Sequence, residues 1–257
     1  MTATPKFRAL VSADWNQCLA PCGPFDCMGF VHPQLRPALA SIFQQYTANR
    51  ISLGAAQVQL RSLLPGAIGA DEMDAYLAAT FNTYTDVANL IEWCAARRIL
   101  FMINTTGMQG YFQRALAKKL LPPIPVLSAN PTIRFPSQSS DPSVVIELHE
   151  IDDKPRHTAA VQRRFGIPND KVALLGDSGG DGPHFKWGAA QGALLIGSMT
   201  KPSLDQFCRA HSVDMDLHFG LTYTRDTALR PAEEMQVDFM QLTGPLQALL
   251  DGGPTAR

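Results

Sequence analysis

Six short apolar runs recur along this chain, and each ends in glycine, a carboxylate or another polar residue. They are FRALVSA at residues 7–13, ILFMI at 99–103, the apolar part of PIPVLSA at 125–127, VVIEL at 144–148, VALL at 172–175 and ALLI at 193–196. Runs this short, apolar without alternation, are the mark of strands buried on both faces, as strands of a parallel sheet are. Helical spacing at 109–119, 154–165 and 185–191 separates several of them, which is the βαβ rhythm of a doubly wound fold. The pattern predicts an α/β, Rossmann-like, mostly parallel sheet. Residues 32–96 break the rhythm: Leu39, Ile42, Phe43 and Tyr46, then Val58, Leu60, Leu63 and Leu64, then Met73, Tyr76, Leu77 and Phe81 recur at helical intervals with no convincing strand. This stretch is expected to be a helical cap inserted after the first strand, with core residues 1–25 and 97–257 and cap residues 26–96.

Charge narrows the choice of partners. With 22 Lys plus Arg against 23 Asp plus Glu, the formal net charge of -1 leaves no footprint for nucleic acid or an anionic membrane. No apolar run approaches the ~18 residues of a membrane helix, and residues 1–8 lack the apolar middle of a secretory signal, so a cytoplasmic location is expected. Cysteine number is odd, at five, with Cys18, Cys22 and Cys27 crowded near the cap hinge. No even disulfide framework follows, and without a matching His or Cys cluster zinc is disfavoured against buried, reduced thiols.

In an open α/β sheet, ligands bind beyond the carboxyl ends of strands. The first run ends in Asp14-Trp15-Asn16-Gln17 and the fifth in Gly176-Asp177-Ser178-Gly179-Gly180-Asp181. Aspartates from two strands around a glycine-rich turn make an oxygen-rich site suited to Mg2+, and phosphate chemistry follows from such a site. After ILFMI comes Asn104-Thr105-Thr106-Gly107, expected to present hydroxyl and amide donors to phosphate at a helix N-terminus. After VVIEL, Lys154 opens the next helix, where a cation can neutralise both a carboxylate nucleophile and a transferring phosphoryl group.

In this order the residues resemble the haloacid dehalogenase-like hydrolase superfamily over nearly the whole chain. The resemblance implies that Asp14 is a nucleophile forming an aspartyl-phosphate, and that Thr105, Thr106, Gly107 and Lys154 bind the phosphoryl group. It also implies Mg2+ held by Asp14, the backbone carbonyl of Asn16, and the acidic pair Asp177 and Asp181. The segment Ser128-Ala129-Asn130-Pro131 through Ile133-Arg134-Phe135, followed by VVIELHE, resembles the hairpin of the phosphoserine phosphatase and pyrimidine nucleotidase branch. A hydrolase acting on a small phosphorylated metabolite, a phosphomonoester, is the implied activity.

Three adjacent positions depart from the pattern. The second aspartate of the family's D-x-D, its general acid and base, is Asn16 here, and Gln17 and Cys18 replace the glycine and threonine that follow. An amide does no acid-base work, and losing such a catalyst costs about 100- to 10,000-fold. A substitute acid or base (His184, Asp26 or His149), an Asp-to-Asn replacement that blocks turnover, or different chemistry would each account for it. Asp14-Trp15 and Asn104-Thr105-Thr106-Gly107 also resemble phosphonoacetaldehyde hydrolase, which cleaves a carbon–phosphorus bond. That relative needs a cap lysine for its Schiff base, and no lysine lies between Lys6 and Lys118, so this chemistry is disfavoured. A catalytically impaired module that binds a phosphorylated metabolite or a protein is the remaining alternative.

Overall fold

The computed structural model describes residues 6–47 and 50–252; residues 1–5, most of the segment read as lacking a leader, lie outside it. Seven strands form one parallel sheet in the order β4-β3-β2-β1-β5-β6-β7. They are β1 (Ala9–Ala13), β2 (Ile99–Met108), β3 (Val126–Asn130), β4 (Val144–Glu147), β5 (Val172–Gly176), β6 (Leu194–Thr200) and β7 (Leu217–Thr222). β1 lies between β2 and β5, with Ala13 opposite both Ile103 and Leu175. The chain fills one side of β1 and then the other, so the crevice of a doubly wound sheet opens where Asp14, Asn104 and Gly176 emerge together.

Side chains of β1 alternate across the sheet. Ala9, Val11 and Ala13 enter one hydrophobic cluster and Leu10 the other. Ser12, on the second face, is buried but satisfied, its hydroxyl 2.9 Å from that of Thr158. The second face packs under α7 (Asp153–Phe165), α8 (Gly182–Gln191) and α9 (Pro202–Ala210). Helix α7 stops at Gly166, whose φ of 65° lets the backbone enter the left-handed region without strain.

Two elements differ from the sequence-based expectation. β2 runs on to Met108 with a register shift against β3 between Asn104 and Met108, so residues 104–107 are an irregular strand end and the next helix begins only at Gln109. β7 was not foreseen: LHFGLT is an edge strand whose exposure alternates, so it lacks the continuous apolar run that marks the inner strands.

Between β1 and β2 lie α1 (Asp26–Val31), α2 (Arg36–Thr47), α3 (Leu53–Leu63), α4 (Ala70–Thr80) and α5 (Val87–Ala96). The last of these packs on β2 and on the turn Phe239–Leu242. Helix α4 rests on α6 (Gln109–Ala117), where Asp74 takes a bidentate bond from Arg114, both at 2.7 Å, and Lys118 adds a third contact at 2.8 Å. Helix α3 is tied to the core by Glu150, whose carboxylate accepts from the Ser52 hydroxyl (2.9 Å) and the amides of Leu53 (3.1 Å) and Gly54 (3.0 Å). A carboxylate at a helix N-terminus meets the unpaired amides and the positive end of the dipole. Short α10 (Pro231–Glu234) and α11 (Thr243–Asp251) complete the described chain.

Candidate active site

Asp14 stands one residue past β1 and is fixed by its backbone: its amide donates to the Leu175 carbonyl at 3.0 Å, and its Oδ1 accepts from the Trp15 amide at 2.7 Å. The chain then turns tightly, with Leu19 and Ala20 amides returning to the Trp15 carbonyl and Gln17 at a φ of 58°. Asn16 is held on both ends of its amide. Its Oδ1 accepts from the Thr105 hydroxyl at 3.1 Å, and its Nδ2 donates to the Cys22 carbonyl at 3.3 Å. Thr105 Oγ1 accepts in turn from the Gly107 amide at 3.1 Å. Glycine is needed at 107, because a Cβ there would stand 2.7 Å from Asn16 Oδ1.

Lys154, at the opening of α7, is only 1% exposed, and its Nζ lies 2.6 Å from Asp181 Oδ1 and 3.4 Å from Asp14 Oδ1. Despite burial, the two carboxylates hold its pKa above the ordinary lysine range. The other oxygen of Asp181 accepts from the amides of Asp177 (3.0 Å) and Ser178 (3.5 Å), folding the GDSGGD turn back on itself. Gly176 permits that fold, since a Cβ there would fall 2.5 Å from Asp181 Cγ.

Asp14, Asp177 and Asp181 offer oxygens that all lie within 4.8 Å of one another, and all three are buried. Burial, with the neighbouring carboxylates adding to it, raises Asp14 to about 6 against the pull of Lys154 and pushes Asp177 well above the carboxylate range. Asp177 Oδ1 is buried without a hydrogen-bond partner among the described residues. A buried, unpartnered carboxylate oxygen beside two more carboxylates is the donor set of a hard divalent cation, so these residues fit Mg2+.

Residues 104–107 divide their roles. Asn104 Nδ2 donates to the Lys154 carbonyl (2.9 Å) and the Thr158 hydroxyl (3.1 Å), bracing the start of α7 rather than facing outward. Thr105 reaches Asn16, as above, and Thr106 is buried beside it. The substitute acids and bases considered for Asn16 are engaged elsewhere. His184 is buried with Nε2 2.9 Å from Thr158 Oγ1 and its ring stacked near Trp187. Burial holds it well below the ordinary histidine range. His149 is exposed beside Glu147, and Asp26 accepts from the Gly23 amide at 2.6 Å.

Two side chains near the site carried no signal in the sequence. Lys201 follows β6; its amide donates to the Asp177 carbonyl (2.7 Å), and its Nζ donates to the Ala228 carbonyl (2.6 Å) over the ring of Tyr223 at 3.7 Å. Tyr46 belongs to an apolar helical stripe that reads as cap packing, yet its hydroxyl lies within the electrostatic reach of Lys154, Asp14 and Asp181. The five cysteines are free thiols; Cys22 Sγ lies 3.5 Å from Asn16 Nδ2, and no other cluster of metal-ligating side chains occurs among the described residues. Beside this loop, the segment around Gln17, Cys22 and Phe25, with Leu39 and Phe43 of α2 and Tyr76 of α4, lines a cleft of ≈ 620 Å³. No described helix is long and apolar enough to cross a membrane.

No family model matches the chain, and no curated protein does. Solved structures do resemble it. A phospho-aspartyl intermediate analogue of phosphoserine phosphatase aligns over 93% of this chain and 98% of its own, with a TM-score of 0.64 and 14% identity. Cytosolic 5'-nucleotidase IIIB bound to cytidine aligns over 96% and 86%, with a TM-score of 0.60 and 11% identity. A HAD family hydrolase from Salmonella enterica serovar Typhi aligns over 78% and 66%, with a TM-score of 0.58 and 14% identity. What is shared at these identities is the fold: this chain has the parallel-sheet α/β architecture of those three structures.

Proposed function

We propose that this protein is a magnesium-dependent phosphatase that hydrolyses a small phosphomonoester through an aspartyl-phosphate on Asp14. The observation that carries the reading is the meeting, at one end of the central strands, of Asp14 with Lys154 at 3.4 Å and with Asp177 and Asp181. The likeness to a phospho-aspartyl intermediate analogue of phosphoserine phosphatase supports the same role for Asp14.

In this reading an Asp14 oxygen attacks phosphorus, and water later releases the phosphate. Lys154 draws the phosphoryl group toward Asp14 and offsets its growing charge. Asp181, with both oxygens already bonded, keeps Lys154 in place and adds its charge to the site. Thr105 and Gly107 set the position of Asn16, while Thr106 completes the strand end that receives the phosphoryl oxygens. Asp14, Asp177 and the Asn16 carbonyl would hold Mg2+, whose charge would screen the anionic nucleophile from the anionic substrate. The organic part of the substrate occupies the cleft lined by Phe25, Leu39 and Phe43, whose apolar walls favour a weakly charged alcohol over a polyanion.

Hydrolysis of p-nitrophenyl phosphate with and without Mg2+, in this protein and in Asp14→Ala, tests the proposal. Mg2+-dependent release that disappears in Asp14→Ala is expected. Inorganic phosphate binding that requires Mg2+, with no turnover of any ester, would instead favour a binding module, the reading that Asn16 motivates.

A further inference from the structure

We infer that Tyr46, carried by α2, is a catalytic residue of this site: its hydroxyl gives the leaving-group oxygen the proton that Asn16 cannot. This inference rests on the phosphatase reading above. The Tyr46 hydroxyl lies 3.6 Å from the position a Cβ would take on Gly180, in the middle of the GDSGGD turn. The charges of Lys154, Asp14 and Asp181 all act on it. A side chain from the inserted helices thus reaches the turn that carries Asp177 and Asp181, among the charged groups around Asp14.

Other donors are spoken for. The Asn16 amide donates to the Cys22 carbonyl and its oxygen accepts from Thr105, so Asn16 is committed to holding the loop. His184 and His149 have partners away from Asn16, and the Asp26 carboxylate is taken by the Gly23 amide. Burial raises the Tyr46 phenol above its ordinary range, so it is protonated at neutral pH, and Lys154 favours the phenolate that forms after transfer.

The protons balance over both half-reactions. In the first, an Asp14 oxygen bonds to phosphorus as the bond from phosphorus to the ester oxygen breaks, and the Tyr46 proton moves to that oxygen; a neutral alcohol leaves and a tyrosinate remains. In the second, water oxygen bonds to phosphorus, the bond from phosphorus to Asp14 breaks, and the tyrosinate takes the proton from water. Both residues return to their starting states. Because the donor rides on α2, proton transfer requires the inserted helices to be seated on the core.

A leaving-group series in Mg2+ provides the test. p-Nitrophenolate departs without help, whereas phenolate, with a pKa near that of tyrosine at about 10, benefits from a proton. In Tyr46→Phe, the ratio of kcat/KM for p-nitrophenyl phosphate to that for phenyl phosphate should rise about 100-fold, within the range a general acid contributes. An unchanged ratio, whether both activities fall together or neither moves, would overturn the role of Tyr46 and leave the phosphatase reading intact. No Mg2+-dependent release from either ester by the parent protein would overturn both.

Discussion

Removing the charge of Asp14 while keeping its shape should make the metal-free protein more stable. Burial, with Asp181 adding to it, lifts this carboxyl to about 6 against the pull of Lys154. The folded protein therefore keeps the proton up to about pH 6, whereas the unfolded chain gives it up near 3.9. Between those values the folded state binds more protons, so the Asp14 contribution to stability falls as pH rises, and the whole penalty is present above about pH 6. At roughly 1.4 kcal/mol per unit, the shift amounts to about 3 kcal/mol. Asp14→Asn removes it. In EDTA, urea unfolding at about pH 7.5 should find the variant about 3 kcal/mol more stable than its parent, with the gap closing towards zero by about pH 4. Comparing the two proteins at each pH cancels groups that titrate in the same range, such as buried His184. Saturating Mg2+ should return about 2.7 kcal/mol to the parent at 100 times its Kd and nearly erase the gap. An Asp14→Asn variant less stable than the parent in EDTA at neutral pH would refute the crowding of charge on which the metal site rests.

Three further outcomes follow from contacts described above. Gly107→Ala should push Asn16 aside, since the new Cβ would stand 2.7 Å from its Oδ1, and lower kcat/KM by about 10- to 100-fold with little change in Tm. Glu150→Ala leaves two amides and a hydroxyl at the start of α3 without their acceptor, and should cost about 1–3 kcal/mol in urea and speed proteolysis within Leu53–Leu63. Asp74 is lowered to about 2, chiefly by its bonds to Arg114, so its contribution is full above about pH 4 and is lost as pH falls through about 2. A double-mutant cycle of Asp74→Asn with Arg114→Gln should give a coupling of about 1 kcal/mol at neutral pH that weakens in high salt.

The parts of this site that read clearly in the sequence are those fixed by strand ends. Asp14 and the GDSGGD turn follow apolar runs, and Lys154 opens a helix after another, so backbone topology alone brings them to one crevice. Tyr46 and Lys201 depend on tertiary packing instead. Tyr46 sits in a stripe of apolar residues whose spacing says only that one face of α2 is covered, not that its hydroxyl comes within reach of the charges around Asp14. Lys201 looks like any lysine before a proline, and only the return of the chain past Tyr223 and Ala228 encloses it. The Asn16 departure was legible as a missing acid, but its commitment to Cys22 and Thr105 was not, because one partner is reached only through the tight turn after Trp15 and the other comes from a different strand. β7 escaped because an edge strand needs only one apolar face.

Glu150 lies four residues before Lys154 on the same short segment, so the tether of α3 and the cation of the site share one piece of backbone. Lifting α3 off the core breaks three hydrogen bonds at that segment and strips it of its outside support. The hold on α3 and the seat of the lysine are thus two ends of one short strip of chain, like a door whose bolt also closes a circuit: what loosens the first tugs on the second.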